Sequence, residues 1–389
     1  MYDFAMRRSR RTLGARGFVA ATTAFLMCSV AACGGSSNDD AGSAGSNGGA
    51  KDEAAVEAAQ ERLQPYLEPV EDIEVTTPLT RKPDEGLSVY YIRFNLPIAQ
   101  VLDAPFAEAT EALGWNGTMV PVDGTDPQSV SNAMIRAVSE GADYIAVNSA
   151  SPQAMGPGLE AAKNAGVPVF LAAGIGDVEG EANGVYGNTQ ADSTVDGVLG
   201  LLDQMIVDSG GTGSALLVVA PDFPVQAPLE PAAKEHIAEN CSECALETVT
   251  ISAADLGGDV ASGTVAAIRQ NPEIKYVIGG FDALVNGLPQ ALTAAGLNDV
   301  KTYIVTPSPP FVEQIERGDY AGGLLPSDQN RTWLLVDQIA RQSVGMDTDQ
   351  ATHAAMYQQL WTTEEMPEGE TTWDPPNFQE RYKELWQVS

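Results

Sequence analysis

The feature that most constrains this chain is a regular alternation across residues 87–174, where short apolar runs give way to segments with apolar residues at helical spacing. The run 87–92 stops at Arg93-Phe94-Asn95-Leu96-Pro97, and a helical period resumes through Val101, Phe106, Ala109 and Leu113. Residues 118–122 predict a second strand and 129–140 a second helix, with Val130, Ala133, Met134, Ala137 and Val138 on its apolar face. The strand 144–147, the helix 154–164 and the strand 167–171 continue the series. Strands alternating with helices build a parallel sheet covered on both faces, so the class is α/β. Ligands of such sheets sit beyond the carboxyl ends of the strands, which directs attention to 93–100, 148–151 and 172–176.

The alternation restarts after Gly174. Helices are expected at 192–207, 229–240, 260–270, 284–295, 311–317 and 333–344, and strands at 214–219, 246–251, 276–278 and 301–305, with a segment of unassigned type at 320–325. A strand at 356–361 and a helix at 378–388 close the chain, joined by coil rich in Pro, Glu and Thr. At 389 residues the chain exceeds one ordinary domain, and two doubly wound parallel-sheet lobes account for the repeat.

The other end carries export information. Arginines at 7, 8, 10, 11 and 16 precede the apolar run 18–30, too short for a comfortable membrane span, and Ala31-Ala32 precede Cys33. Val30-Ala31-Ala32-Cys33 resembles the bacterial lipobox, which implies cleavage before Cys33 and a diacylglycerol on its thiol. Ser9-Arg10-Arg11-Thr12-Leu13 also resembles a twin-arginine motif, so the export route stays open between the general and twin-arginine pathways. Residues 1–32 are thus read as a lipoprotein signal peptide and 33–50, made after Cys33 of Gly, Ser, Ala, Asn and Asp, as a flexible tether. Residues 51–86 supply a helix to about Leu67 and a Pro-rich extended segment. The formal charge of −32 repels nucleic acid and anionic lipid heads, which excludes a nucleic-acid partner and keeps an exported protein soluble.

Catalytic machinery is not visible. His236 and His353 stand in separate segments without ligand spacing, so no metal is expected. No Gly-x-Ser-x-Gly elbow follows a strand. The run Gly174 to Gly180 has its third glycine one residue late for a dinucleotide loop, and two acids would face the phosphates, so no cofactor is expected. Cys241 and Cys244 close a helix rather than open one; a small structural disulfide fits an exported protein better than a redox pair or a zinc site.

Several motifs, in order, resemble the type I periplasmic solute-binding proteins of ABC importers, the ribose-binding-like group. They are Asn95-Leu96-Pro97-Ile98-Ala99, Leu113-Gly114-Trp115, Gly141-Ala142-Asp143-Tyr144-Ile145, Ala165-Gly166-Val167-Pro168-Val169, Phe281-Asp282-Ala283 with Gly287, and Ala291-Leu292-Thr293-Ala294-Ala295-Gly296. The resemblance spans about residues 87–345 and implies two lobes closing on a solute by hinge motion. It divides the chain into a first lobe of 87–174 and 326–355, a second of 175–325, and a closing strand and helix in 356–389. Carried over by position, it implies solute contacts at Asn95, Ile98, Ala99, Asn148 and Ser151 of the first lobe. In the second it implies Asp222 or Phe223, Phe281 and Thr306, with Ser327 and Asp328 at the return crossing. Phe94, Phe223 and Phe281 are candidates for flat apolar walls suiting a sugar or a less polar ring.

The function so implied is not enzymatic. It is capture of a small solute by a monomer, lipid-anchored to the outer face of the bacterial cytoplasmic membrane, for delivery to an ABC permease. The alternative is a sensor subunit presenting the same clamshell to a membrane receptor.

Overall fold

The structure, a computed structural model, describes residues 52–174, 180, 183–189, 193–352 and 357–388. Helix α1 (Glu53–Leu67) is followed by β1 (Ser88–Phe94), α2 (Pro97–Gln100), α3 (Asp103–Ala112), β2 (Asn116–Val122), α4 (Ser129–Ser139), β3 (Tyr144–Asn148), α5 (Pro152–Ala165), β4 (Val169–Ala172) and β5 (Val185–Thr189). These five strands form one wholly parallel sheet in the order β2-β1-β3-β4-β5. Then come α6 (Ser193–Ser209), β6 (Ser214–Val219), α7 (Leu229–Asn240), β7 (Ala245–Thr250), α8 (Val260–Gln270), β8 (Tyr276–Gly279), α9 (Leu288–Ala295), β9 (Lys301–Val305), α10 (Pro309–Glu316) and β10 (Gly322–Pro326). Helix α11 (Asp328–Ser343), α12 (Asp349–Thr352), β11 (Gln358–Thr362) and α13 (Phe378–Trp386) complete the described elements. The second sheet runs β11-β10-β9-β8-β6-β7 and is parallel except for β11, which pairs antiparallel with β10.

Two α/β lobes therefore stand as the alternation predicts, and three expectations need correction. The first lobe does not end at Gly174: β5 pairs with β4, so the chain leaves that sheet only after Thr189. Its sequence Val-Tyr-Gly-Asn-Thr has no apolar alternation, and Gly187 is small because a Cβ there would lie 2.8 Å from Gln338 Oε1. The C-terminal part is not one unit: β11 extends the second sheet, whereas α13 packs on the first lobe. The helix expected at 284–295 is a short 3-10 turn, Asp282–Val285, and then α9, separated by Gly287 at φ +73°.

The N-terminal helix belongs to the second lobe. Ala55, Ala59 and Leu63 pack with Val198, Leu202, Met205 and Ile206 of α6. Toward the same helix α6, Arg62 makes a two-pronged contact with Asp203, Nε to Oδ2 at 2.9 Å and Nη2 to Oδ1 at 2.7 Å, while His236 Nε2 lies 2.9 Å from Oδ1. His236 is thus a packed histidine, and His353 lies outside the described residues. The extended segment then changes lobes: Ile73, Val75 and Leu79 join a core with Trp333, Phe378, Tyr382 and Trp386. Trp333 and Trp386 stack at 5.2 Å, and buried Asp337 accepts from Arg341 Nε (2.7 Å) and Trp386 Nε1 (2.8 Å). Arg341 also donates to the Thr77 carbonyl at 2.8 Å, which ties this segment to α11.

Among the described elements the chain passes between the lobes five times: after α1, after β5, at Ser327, after α12, and between β11 and α13. Cys241 and Cys244 form the expected disulfide between α7 and β7. Cys33 and its surroundings lie outside the described residues. No described helix is long and apolar enough to cross a membrane.

Candidate functional site

Each sheet reverses its strand order once, between β1 and β3 in the first lobe and between β6 and β8 in the second. The crevice outside such a reversal is where open α/β sheets take ligands, because the flanking loops splay apart there. The two crevices face each other. Phe94 at the end of β1, Asn148 at the end of β3 with Ser149 after it, and Ala173 after β4 line one side of an inner cavity of about 100 Å3. Phe223 after β6, Gly280 and Phe281 after β8, and Thr306 after β9 line the other.

The rings bridge the lobes. Phe94 meets Phe223 edge-on at 5.6 Å, and Phe223 meets Phe281 at 5.9 Å and 86°. Edge-to-face packing of this kind favours burial of all three, and they are 5–9% exposed. Gly280 permits the approach of Gln226, whose Nε2 donates to the Gly280 carbonyl at 3.1 Å; a Cβ on Gly280 would collide with that side chain.

The strand ends are held in unusual backbone conformations. Ser149 (φ 55°), Ala173 (φ 54°) and Thr306 (φ 53°) all sit in the left-handed region, and all three line the cavity. Each amide still bonds the adjacent strand: Ser149 to the Ala172 carbonyl, Ala173 to the Thr189 carbonyl and Thr306 to the Leu324 carbonyl. Left-handed geometry costs non-glycine residues about 1–3 kcal/mol and is worst for β-branched ones, so the surrounding sheets must impose it. Such strain clusters where side chains must be aimed.

Buried polar groups fix the remaining loops. Arg93 Nε and Nη2 grip both Asp103 oxygens at 2.7 Å, anchoring the loop that carries Leu96, Ile98 and Ala99. Asp282 accepts from the Ser308 amide at 3.2 Å and from its hydroxyl, which locks the Phe281 loop to the Thr306 loop. Burial raises the Asp282 carboxyl above its ordinary range, against the lowering effect of those bonds. Asn148 accepts from Ser149 Oγ at 3.1 Å and hydrogen-bonds the Tyr91 hydroxyl, which burial pushes up to about 12.

Arg331 is the cation of the inner cavity, and no carboxylate lines it among the described residues. Its Nη2 lies 2.6 Å from Asp328 Oδ1, so the charge is largely compensated. Sequence reasoning missed Arg331, although Asp328 three residues earlier, one helical turn away, is the pattern of an ion pair. It also missed Ser193, Thr194 and Gln226, which line the cavity from α6 and the turn before α7.

Of the expected contact residues, the inner cavity brings together Ile98, Ala99, Asn148, Phe223, Phe281 and Thr306. Ser151 and Asp222 line a second, outer cavity of about 540 Å3, which shares Phe94 with the inner one. Ser151 also caps α5, accepting from the Ala154 amide at 3.3 Å, and Asp222 Oδ2 accepts from the Ala253 amide at 2.8 Å. Asn95, Ser327 and Asp328 line neither of these two cavities. Asn95 is exposed beside β2, Ser327 is buried at the crossing, and Asp328 serves Arg331.

A family model described as a periplasmic binding protein domain matches residues 94–346. Among solved structures, an ABC transporter solute-binding protein from Mycobacterium smegmatis with bound glycerol is 17% identical, covering 72% of this chain and 95% of its own, at a TM-score of 0.60. A solute-binding protein from Agrobacterium vitis bound with α-D-tagatopyranose is 14% identical (73% and 97% covered, TM-score 0.63). An ABC sugar transporter subunit from Rhodobacter sphaeroides is 20% identical (72% and 99% covered, TM-score 0.60). At these identities the likeness is one of fold.

Proposed function

The chain belongs to the periplasmic binding protein domain family, and from that premise we propose that it captures a small, uncharged, hydroxyl-bearing solute with one apolar face and delivers it to an ABC permease. Family members are extracytoplasmic transport binding proteins rather than enzymes. The observation that carries the reading is the inner cavity itself, walled by both lobes at the carboxyl ends of both sheets. Its aromatic edges suit the C–H face of a ring, while Asn148, Ser149, Ser193, Thr194, Gln226 and Thr306 offer donors and acceptors to hydroxyls. Compensation of Arg331 by Asp328 disfavours an anion, and the absence of a lining carboxylate disfavours a cation. Glycerol and tagatopyranose in the structural relatives belong to the same chemical class. Cys33 is assigned the lipid anchor, holding the protein at the outer face of the cytoplasmic membrane.

The test is a thermal-shift screen over sugars, polyols, aromatics and amines, followed by calorimetric titration. A solute present at 100 times its Kd raises stability by about 2.7 kcal/mol, and the hits should be neutral polyhydroxyl compounds. Selective stabilisation by amines or carboxylates would refute the assignment.

A further inference from the structure

The inference rests on the reading of the cleft just given and extends it to the size of the solute. An apolar cavity of about 150 Å3 is what admits benzene. The inner cavity, at about 100 Å3, is smaller, and a sugar ring with its exocyclic oxygens is larger than benzene. A ring seated there must therefore send part of itself past the wall. Phe94 is that wall, since it lines both the inner cavity and the outer one of about 540 Å3.

The junction is built for close approach. A Cβ on Gly124 would stand 2.8 Å from Phe223 Cε1 and 3.5 Å from Phe94 Cδ1, so glycine at this position leaves room for the two ring edges. Beyond it, the outer cavity is supplied by both lobes, and polar side chains stand among its apolar lining. Thr125, Gln128, Ser151 and Gln153 come from the first, Asp222 and Ser252 from the second. Among the described residues the carboxamides of Gln128 and Gln153 make no hydrogen bond within the protein. The charged residues of its lining are Asp126 and Asp222, both acidic, with no Lys or Arg beside them.

We propose that the solute has two parts: a ring packed against Phe94, Phe223 and Phe281 in the inner cavity, and an uncharged, hydroxyl-bearing extension lying in the outer cavity against Gln128 and Gln153. A disaccharide or a glycoside has this form. A sugar phosphate does not, because its anionic group would face Asp126 and Asp222 without a cation.

The experiment is calorimetric titration of the full-length folded protein with glucose, galactose and xylose against maltose, cellobiose, lactose, trehalose and xylobiose, with glucose 6-phosphate as the charged probe. At least one disaccharide should bind tenfold or more tighter than its constituent monosaccharide, and glucose 6-phosphate should bind no better than glucose. In the double variant Gln128→Ala/Gln153→Ala, checked for an unchanged circular-dichroism spectrum, that ratio should collapse toward one. Equal affinity for monosaccharide and disaccharide, or a ratio that survives in the double variant, overturns the two-part solute while leaving the cleft assignment standing. Failure of both sugar classes to bind overturns the cleft assignment as well.

Discussion

The backbone amide of Asn330 donates to the Asp374 carboxylate at 2.8 Å, so a residue of the last crossing segment caps the helix that carries Arg331. Burial pushes the Asp374 carboxyl from its ordinary 3.8 up to about 7, the cap opposes the shift, and neighbouring Asp328 adds to it. A carboxyl with a raised folded-state pKa binds more protons folded than unfolded between those two values. Its contribution to stability is therefore complete below about pH 4 and is lost as pH rises through about 7. Melting temperature should fall between about pH 4 and pH 7, and Asp374→Asn, which still accepts the cap bond, should flatten that part of the profile. An equally steep profile in the variant would remove Asp374 as the cause.

Arg62→Ala should loosen α1 from the second lobe. Asp203, almost fully buried, would lose its guanidinium partner and keep the His236 ring beside it, and stranding a buried charged acceptor costs on the order of 1–3 kcal/mol or more. A fall in melting temperature should accompany faster protease cleavage at the helix than in the parent. Unchanged stability would mean that the apolar face of α1 alone suffices.

Thr306→Gly separates strain from binding. Glycine accepts φ 53° without the Cβ conflict, so the variant should melt at or above the parent temperature. Removing the hydroxyl from the cavity wall should weaken solute binding roughly fivefold to a hundredfold, the worth of one buried hydrogen bond. A variant that binds as tightly as the parent would take Thr306 off the contact surface.

Asn148→Ala should weaken binding by a similar factor and should also lower stability, because Asn148 serves Tyr91 and Ser149 as well as the cavity. Titration beside unliganded melting curves separates the two effects. A loss of stability alone would make Asn148 a support for Tyr91.

Cys33→Ala should release the protein from the membrane fraction and prevent acylation, read by mass of the exported chain. Retention at the membrane with unchanged mass would refute the lipid anchor.

The lobes were legible because buried parallel strands write themselves as apolar runs, and their helices as a helical period: residues 214–219 and 301–305 coincide with β6 and β9, and 260–270 with α8. Strand β5 was not, because its Gly187 and Asn188 answer to Gln338 and to the Gly174 backbone rather than to an apolar layer. Within the site, Asn148, Phe223, Phe281 and Thr306 were accessible from their place after strands. Arg331 was hidden because its chain reaches the cleft from the first turn of α11, not from a strand end. The left-handed backbones of Ser149, Ala173 and Thr306 leave no trace in composition, since a non-glycine residue adopts them only under tertiary constraint.

Helix α1 is fastened to the second lobe and α13 to the first, so the two ends of the folded body ride on different halves of the clamshell. A donor fluorophore placed near Asp52 and an acceptor near Val388 would change separation only when the halves move. The protein thus offers a ready optical gauge, and energy transfer between these ends would report occupancy of the cleft without any label entering it.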